Sequence, residues 1–133
     1  MKLYLDENLS PKYRHAFDSE RMQLFTYQFM GWQGKKNGEL LRLLSIHGFR
    51  GVITSDQSMY SNNQLSQHRL HFFLIHSASD TSSARMPLMD SLNDYLLKSY
   101  EKFDSATSSR VVVTDGVVDK NMSEGIHVLY FGE

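Results

Sequence analysis

Apolar positions along this chain fall into short β-prone runs separated by stretches of helical period. Lys2 to Leu5 is the first such run, and Ser10-Pro11 follows as an N-cap with proline at the first helical position. Tyr13, Ala16 and Phe17 share one face at i, i+3, i+4 spacing, which predicts an amphipathic helix over 11–19. Met22 to Phe29, with Leu24, Phe25, Tyr27 and Phe29, reads as a second strand. Gly31 to Gly38 is polar, basic and glycine-containing, and is expected to be a loop. Leu40, Leu41, Leu43, Leu44 and His47 then repeat at helical period and Gly48 supplies a stop, so a helix is expected over about 38–47. Gly51 to Ser55 is the third strand.

The second half continues the alternation. Met59 to Gln67 is polar and reads as a short helix, and Arg69 to His76 as a buried fourth strand. Ser77 to Ala84 is expected to be a loop, and Leu88, Leu92, Tyr95, Leu96 and Phe103 mark a long helix over about 86–103. Val111 to Thr114 and Val117-Val118 flank Asp115-Gly116, a two-residue hairpin signal, and Ile126 to Phe131 is a last strand. The βαβαβ order of the front half argues for an α/β fold with a mostly parallel sheet and right-handed crossovers. No internal repeat or long linker divides the chain, so residues 1–133 are expected to form a single domain.

That topology has a chemical consequence. In a βαβ unit each helix starts on the edge where the preceding strand ends, so Asp6, Glu39 and Asp56 are expected on one edge of the sheet. Open α/β sheets bind ligands at this edge. Clustered carboxylates suit a hard divalent cation such as Mg²⁺ or Mn²⁺, whose bound water is a nucleophile for phosphodiester hydrolysis. The local alternative is stereochemical, with Glu39 favouring a helix N-terminus and Asp56 capping the helix after it.

Composition narrows the function classes. Hydrophobic residues are 41% and charged residues 22%, which is globular rather than disordered. A net charge of -1 excludes the strongly basic surface of a general DNA binder, leaving a local basic patch as the route to a nucleic-acid partner. The lack of cysteine removes disulfides, thiolate catalysis and zinc-thiolate sites. No segment approaches the ~18 apolar residues of a membrane span and the N-terminus has no long apolar core, so a cytoplasmic protein with no membrane partner is expected.

The run Met1-Lys2-Leu3-Tyr4-Leu5-Asp6-Glu7-Asn8-Leu9-Ser10-Pro11, the Glu39-Leu40-Leu41 helix start and Val52-Ile53-Thr54-Ser55-Asp56 resemble the PIN-like DUF5615 family, related to Mut7-C and to the nuclease toxins of toxin-antitoxin systems. The resemblance covers about residues 1–77, and Arg110 to Gly132 looks like that family's terminal β-hairpin. It implies a PIN-like three-layer α/β/α sandwich with a C-terminal β-hairpin. Its acidic pocket, made here by Asp6, Glu39 and Asp56, would bind Mg²⁺ or Mn²⁺ and cut single-stranded RNA. Glu7 and Asn8 lie beside it as accessory residues. A cognate antitoxin protein and a homodimer are the partners that such a toxin implies. Family members commonly carry acids where this chain has Asn37 and Ser58. Both replacements lower the negative charge of the pocket, although each retains an oxygen able to coordinate.

Trp32, Lys35 and Lys36 pair an aromatic with two cations beside the expected pocket, a combination that holds single-stranded RNA through stacking and phosphate attraction. The opposing account packs Trp32 on the sheet and leaves the lysines solvated. The six histidines form no ligand motif and are read as structural. Two other functions stay open: a catalytically weakened PIN-like module that binds RNA or protein, and a receiver-like phosphoacceptor domain with Asp56 as acceptor. Glycine-rich nucleotide loops and a serine-hydrolase elbow are missing from the sequence.

Overall fold

The computed structural model describes residues 1–56, 70–77, 81–98, 111–115 and 125–130. Its elements are β1 (Lys2–Leu5), a 3₁₀ helix (Pro11–Ala16), β2 (Gln23–Thr26), α1 (Tyr27–Met30), α2 (Asn37–Ile46), β3 (Gly51–Thr54), β4 (His71–His76), α3 (Ser82–Lys98), β5 (Val111–Asp115) and β6 (Gly125–Tyr130). One sheet runs in the order β2-β1-β3-β4-β6-β5. The first four strands in that order are parallel, whereas β6 is antiparallel to both β4 and β5. The expected α/β class and parallel sheet are therefore present.

Apolar residues bury both faces of the parallel strands, which explains why β3 and β4 read as unbroken apolar runs rather than as alternating ones. Odd-numbered positions Leu3, Leu5, Ile53, Phe73 and Ile75 pack with Tyr13, Phe17 and Met22 and with Met89, Leu92 and Leu96 of α3. Even-numbered positions Tyr4, Val52, Phe72 and Leu74 pack with Leu40, Leu41 and Leu44 of α2 and with Phe49. Gly51 is where β3 is squeezed between its neighbours: a Cβ there would lie 2.9 Å from Phe73 and 3.0 Å from the His71 carbonyl.

Three local expectations are corrected. The first helix is a 3₁₀ segment ending at Ala16 rather than an α-helix to residue 19. Ser10 caps it as expected, but the Asp18 N–H is drawn away to Asn93 Oδ1 at 2.9 Å and the Asp18 carboxylate closes a new turn by accepting from the Glu20 N–H. The second strand stops at Thr26 instead of running to Phe29, because the Thr26 hydroxyl accepts the Phe29 N–H at 3.2 Å and starts the one-turn α1. Asp115, expected in a tight turn, lies in β5 opposite Ile126.

Elsewhere the boundaries shift only slightly. α2 ends as its glycine predicts: Gly48 has a left-handed φ of 77°, and Phe49 N–H and Gly48 N–H donate back to Leu44 and Ser45 in a Schellman closure. The long helix starts earlier than expected, at Ser82, and is described to Lys98. The helix expected at Met59 to Gln67, the Val117-Val118 strand, Phe103, Phe131 and Ser58 lie outside the described residues.

Candidate functional site

The chain winds outward from β1 in both directions, to β2 on one side and to β3 and β4 on the other. The carboxyl ends of β1 and β3 are thus the switch point of the sheet, where the loops leave to opposite sides and open a crevice. Asp6 follows β1 there and Asp56 follows β3 by two residues.

Asp6 is 6% exposed. Its backbone N–H extends the ladder by donating to the Ile53 carbonyl at 2.9 Å, and its own carbonyl accepts from Leu9 N–H at 3.0 Å, turning the chain out of the sheet. Thr54, the last residue of β3 and fully buried, donates its hydroxyl to Asp6 Oδ2 at 2.8 Å. The same Thr54 oxygen accepts the Asp56 N–H at 3.0 Å. One hydroxyl therefore fixes both acidic segments. Asn8 adds a second tie, its Oδ1 accepting from Ser55 N–H at 3.2 Å and standing 3.3 Å from the Thr54 oxygen. Thr54 has a single proton, and the shorter approach to the charged oxygen takes it.

Burial is the main reason the Asp6 carboxyl is held above the usual carboxylate range, and the charges of Glu7 and Asp56 push it the same way. The Thr54 hydroxyl and the Glu7 backbone N–H pull it down without offsetting this. Tyr4 of β1, two residues before Asp6, is pushed well above the ordinary phenol range by burial and then by Asp6 and Glu7. A buried carboxylate among like charges is a place that a cation would stabilise.

Glu39 stands in the first turn of α2, more than half exposed, with Oε1 3.3 Å from Lys35 Nζ. Glu7 is exposed and its Oε2 accepts the Gly34 N–H at 3.1 Å, so the acidic loop after β1 clasps the loop before α2. Asp6 and Asp56 are neighbours around Thr54, whereas Glu39 is engaged by a lysine; among the described residues no three His, Asp or Glu side chains group as a metal cage. Mg²⁺ is ordinarily held by one or two carboxylates and waters rather than by a full protein cage, so the oxygen donors of Asp6 and Asp56 suit it chemically. The backbone of Asn37 opens α2, and its side chain lies outside the described residues.

The proposed RNA-contact residues separate. Trp32 is half-buried, its ring centroid 5.8 Å from Tyr4, 6.0 Å from Phe49 and 5.4 Å from His47, which is packing over the sheet. Lys35 pairs with Glu39, and Lys36 is exposed at the start of α2. Phe29 of α1, by contrast, is 71% exposed.

Two residues at the site were not legible as site residues. Thr54 carried one signal, a hydroxyl within an otherwise apolar buried strand. Arg85 carried none: it reaches this edge because β4 ends there and α3 begins there, and its Nη1 donates to the Asn8 carbonyl at 3.4 Å while Nε donates to Ser77 Oγ at 3.3 Å. Compared with family models, curated proteins and solved structures, the chain matches none. No described helix is long and apolar enough to cross a membrane.

Proposed function

We propose that the protein is a metal-dependent endoribonuclease of PIN-like type, with Asp6, Asp56 and Glu39 holding Mg²⁺ or Mn²⁺. One observation carries this reading: a buried carboxylate, Asp6, is fixed at the switch point of a parallel sheet by a threonine that also fixes Asp56, with no cation of the protein's own paired to it in the described contacts. When bound, the metal supplies an acidified water and neutralises charge that develops on the phosphodiester.

The protein's own contribution is positional. Thr54 presents Asp6 Oδ2 in one orientation, and Asn8 holds the segments after β1 and β3 together through the Ser55 N–H. Burial of Asp6 lowers the local dielectric and strengthens its attraction for a cation. The PIN-like sandwich with its terminal hairpin belongs to this proposal, as do the accessory roles of Glu7, Asn37 and Ser58. In its toxin form the proposal adds a cognate antitoxin protein and a homodimer.

Hydrolysis of single-stranded RNA tests it. Wild type with Mn²⁺ is expected to cut a labelled RNA and Asp6→Asn to lose at least about a hundredfold in rate, the scale of removing one electrostatic element of a site. Equal rates for the two proteins would sink the assignment. The ion pair of Glu39 with Lys35 favours a second reading, a non-catalytic RNA-binding module, for which Asp6→Asn would leave RNA binding intact and no hydrolysis would be seen.

A further inference from the structure

Arg85 lies in the first turns of α3, on the face of the sheet opposite α2, and its guanidinium bridges the loop after β1 to the end of β4. Through Asn8, whose Oδ1 accepts the Ser55 N–H at 3.2 Å, it is linked to the segment after β3 that carries Asp56, the Arg85 Nη1–Asn8 carbonyl step being 3.4 Å. It bonds a carbonyl and a hydroxyl, both uncharged, so its positive charge is not neutralised by a carboxylate among these contacts.

We propose that Arg85 is the phosphate-binding residue that seats a single-stranded RNA backbone across the acidic edge. This rests on the ribonuclease reading for its substrate. An edge bearing Asp6, Glu7 and Asp56 repels a polyanion, and a strand that crosses it needs a cation close to the carboxylates. Lys35 stands on the α2 side but is committed to Glu39, whereas Arg85 stands on the α3 side with two of its five N–H donors engaged in the fold. Those two bonds orient the planar guanidinium without neutralising it, leaving a fork that suits two phosphate oxygens. The geometry makes Arg85 a substrate-binding group and assigns it no part in holding the metal.

The test uses the whole chain and a short fluorescein-labelled oligouridylate, with anisotropy read in chelator over a series of NaCl concentrations. Arg85→Gln is expected to bind on the order of tenfold more weakly. Its slope of log affinity against log salt is expected to fall by about 0.7, the loss of one single-strand phosphate contact. Arg85→Lys, which keeps the charge, should retain most of that slope. Wild-type affinity in Arg85→Gln, or weakened affinity with an unchanged slope, would overturn the proposal, the second outcome marking a structural tie between Asn8 and Ser77. Hydrolysis with Mn²⁺ separates the two claims. If wild type does not cut RNA yet binds it through Arg85, the ribonuclease reading falls and the phosphate site stands. If Arg85→Gln cuts with an unchanged KM, the phosphate site falls and the ribonuclease reading stands.

Discussion

Thr54 occupies the last position of a buried strand, and its single oxygen serves Asp6 as donor and the Asp56 backbone as acceptor. Replacing it by valine keeps the shape but leaves a buried carboxylate oxygen and an N–H without that partner. Unsatisfied groups of this kind cost about 1–3 kcal/mol each. Thr54→Val is therefore expected to lose about 2–6 kcal/mol of unfolding free energy, read as a lower urea midpoint, and Thr54→Ser to recover most of it. A midpoint equal to wild type for Thr54→Val would show that Thr54 does not hold the two acidic segments. Single residues are also where the site is least legible in the sequence. Asp6 and Asp56 stand out because each ends an apolar run, but the hydroxyl that joins them is one polar atom inside such a run, and Arg85 has no local signature at all.

At the scale of elements, the strands with the strongest apolar runs were legible: β1, β3 and β4 lie where the pattern places them, because burial on both faces leaves little choice of residue. α2 was legible from its period and from Gly48. The stretch Met22 to Phe29 divides between strand and helix, since its aromatic content suits either and a single hydroxyl, that of Thr26, decides the switch. Gly51 marks how tightly β3 fits. A methyl group there would meet Phe73, the His71 carbonyl and Leu3 within 3.1 Å, so Gly51→Ala is expected to cost about 1–3 kcal/mol of stability by overpacking. Chemical denaturation checks this, and a neutral result would mean that β1, β3 and β4 can move apart.

At the scale of the whole molecule, the switch between β1 and β3 explains why residues distant in sequence share one edge. Of the three acids expected there, Asp6 and Asp56 are each tied to Thr54, while Glu39 pairs with Lys35, a pairing that i, i+4 spacing on the approach to a helix allows. Burial of Asp6 among like charges is a standing cost to the fold, so the sites of charge and of stability oppose each other. A divalent cation bound at Asp6 would resolve this opposition. Calorimetric titration of Mn²⁺ into wild type and Asp6→Asn tests it most directly. A saturable site is expected in wild type, weakened by at least about tenfold in Asp6→Asn, a change of roughly 1.4 kcal/mol. Identical isotherms for the two proteins, or no saturable heat in wild type, would contradict it.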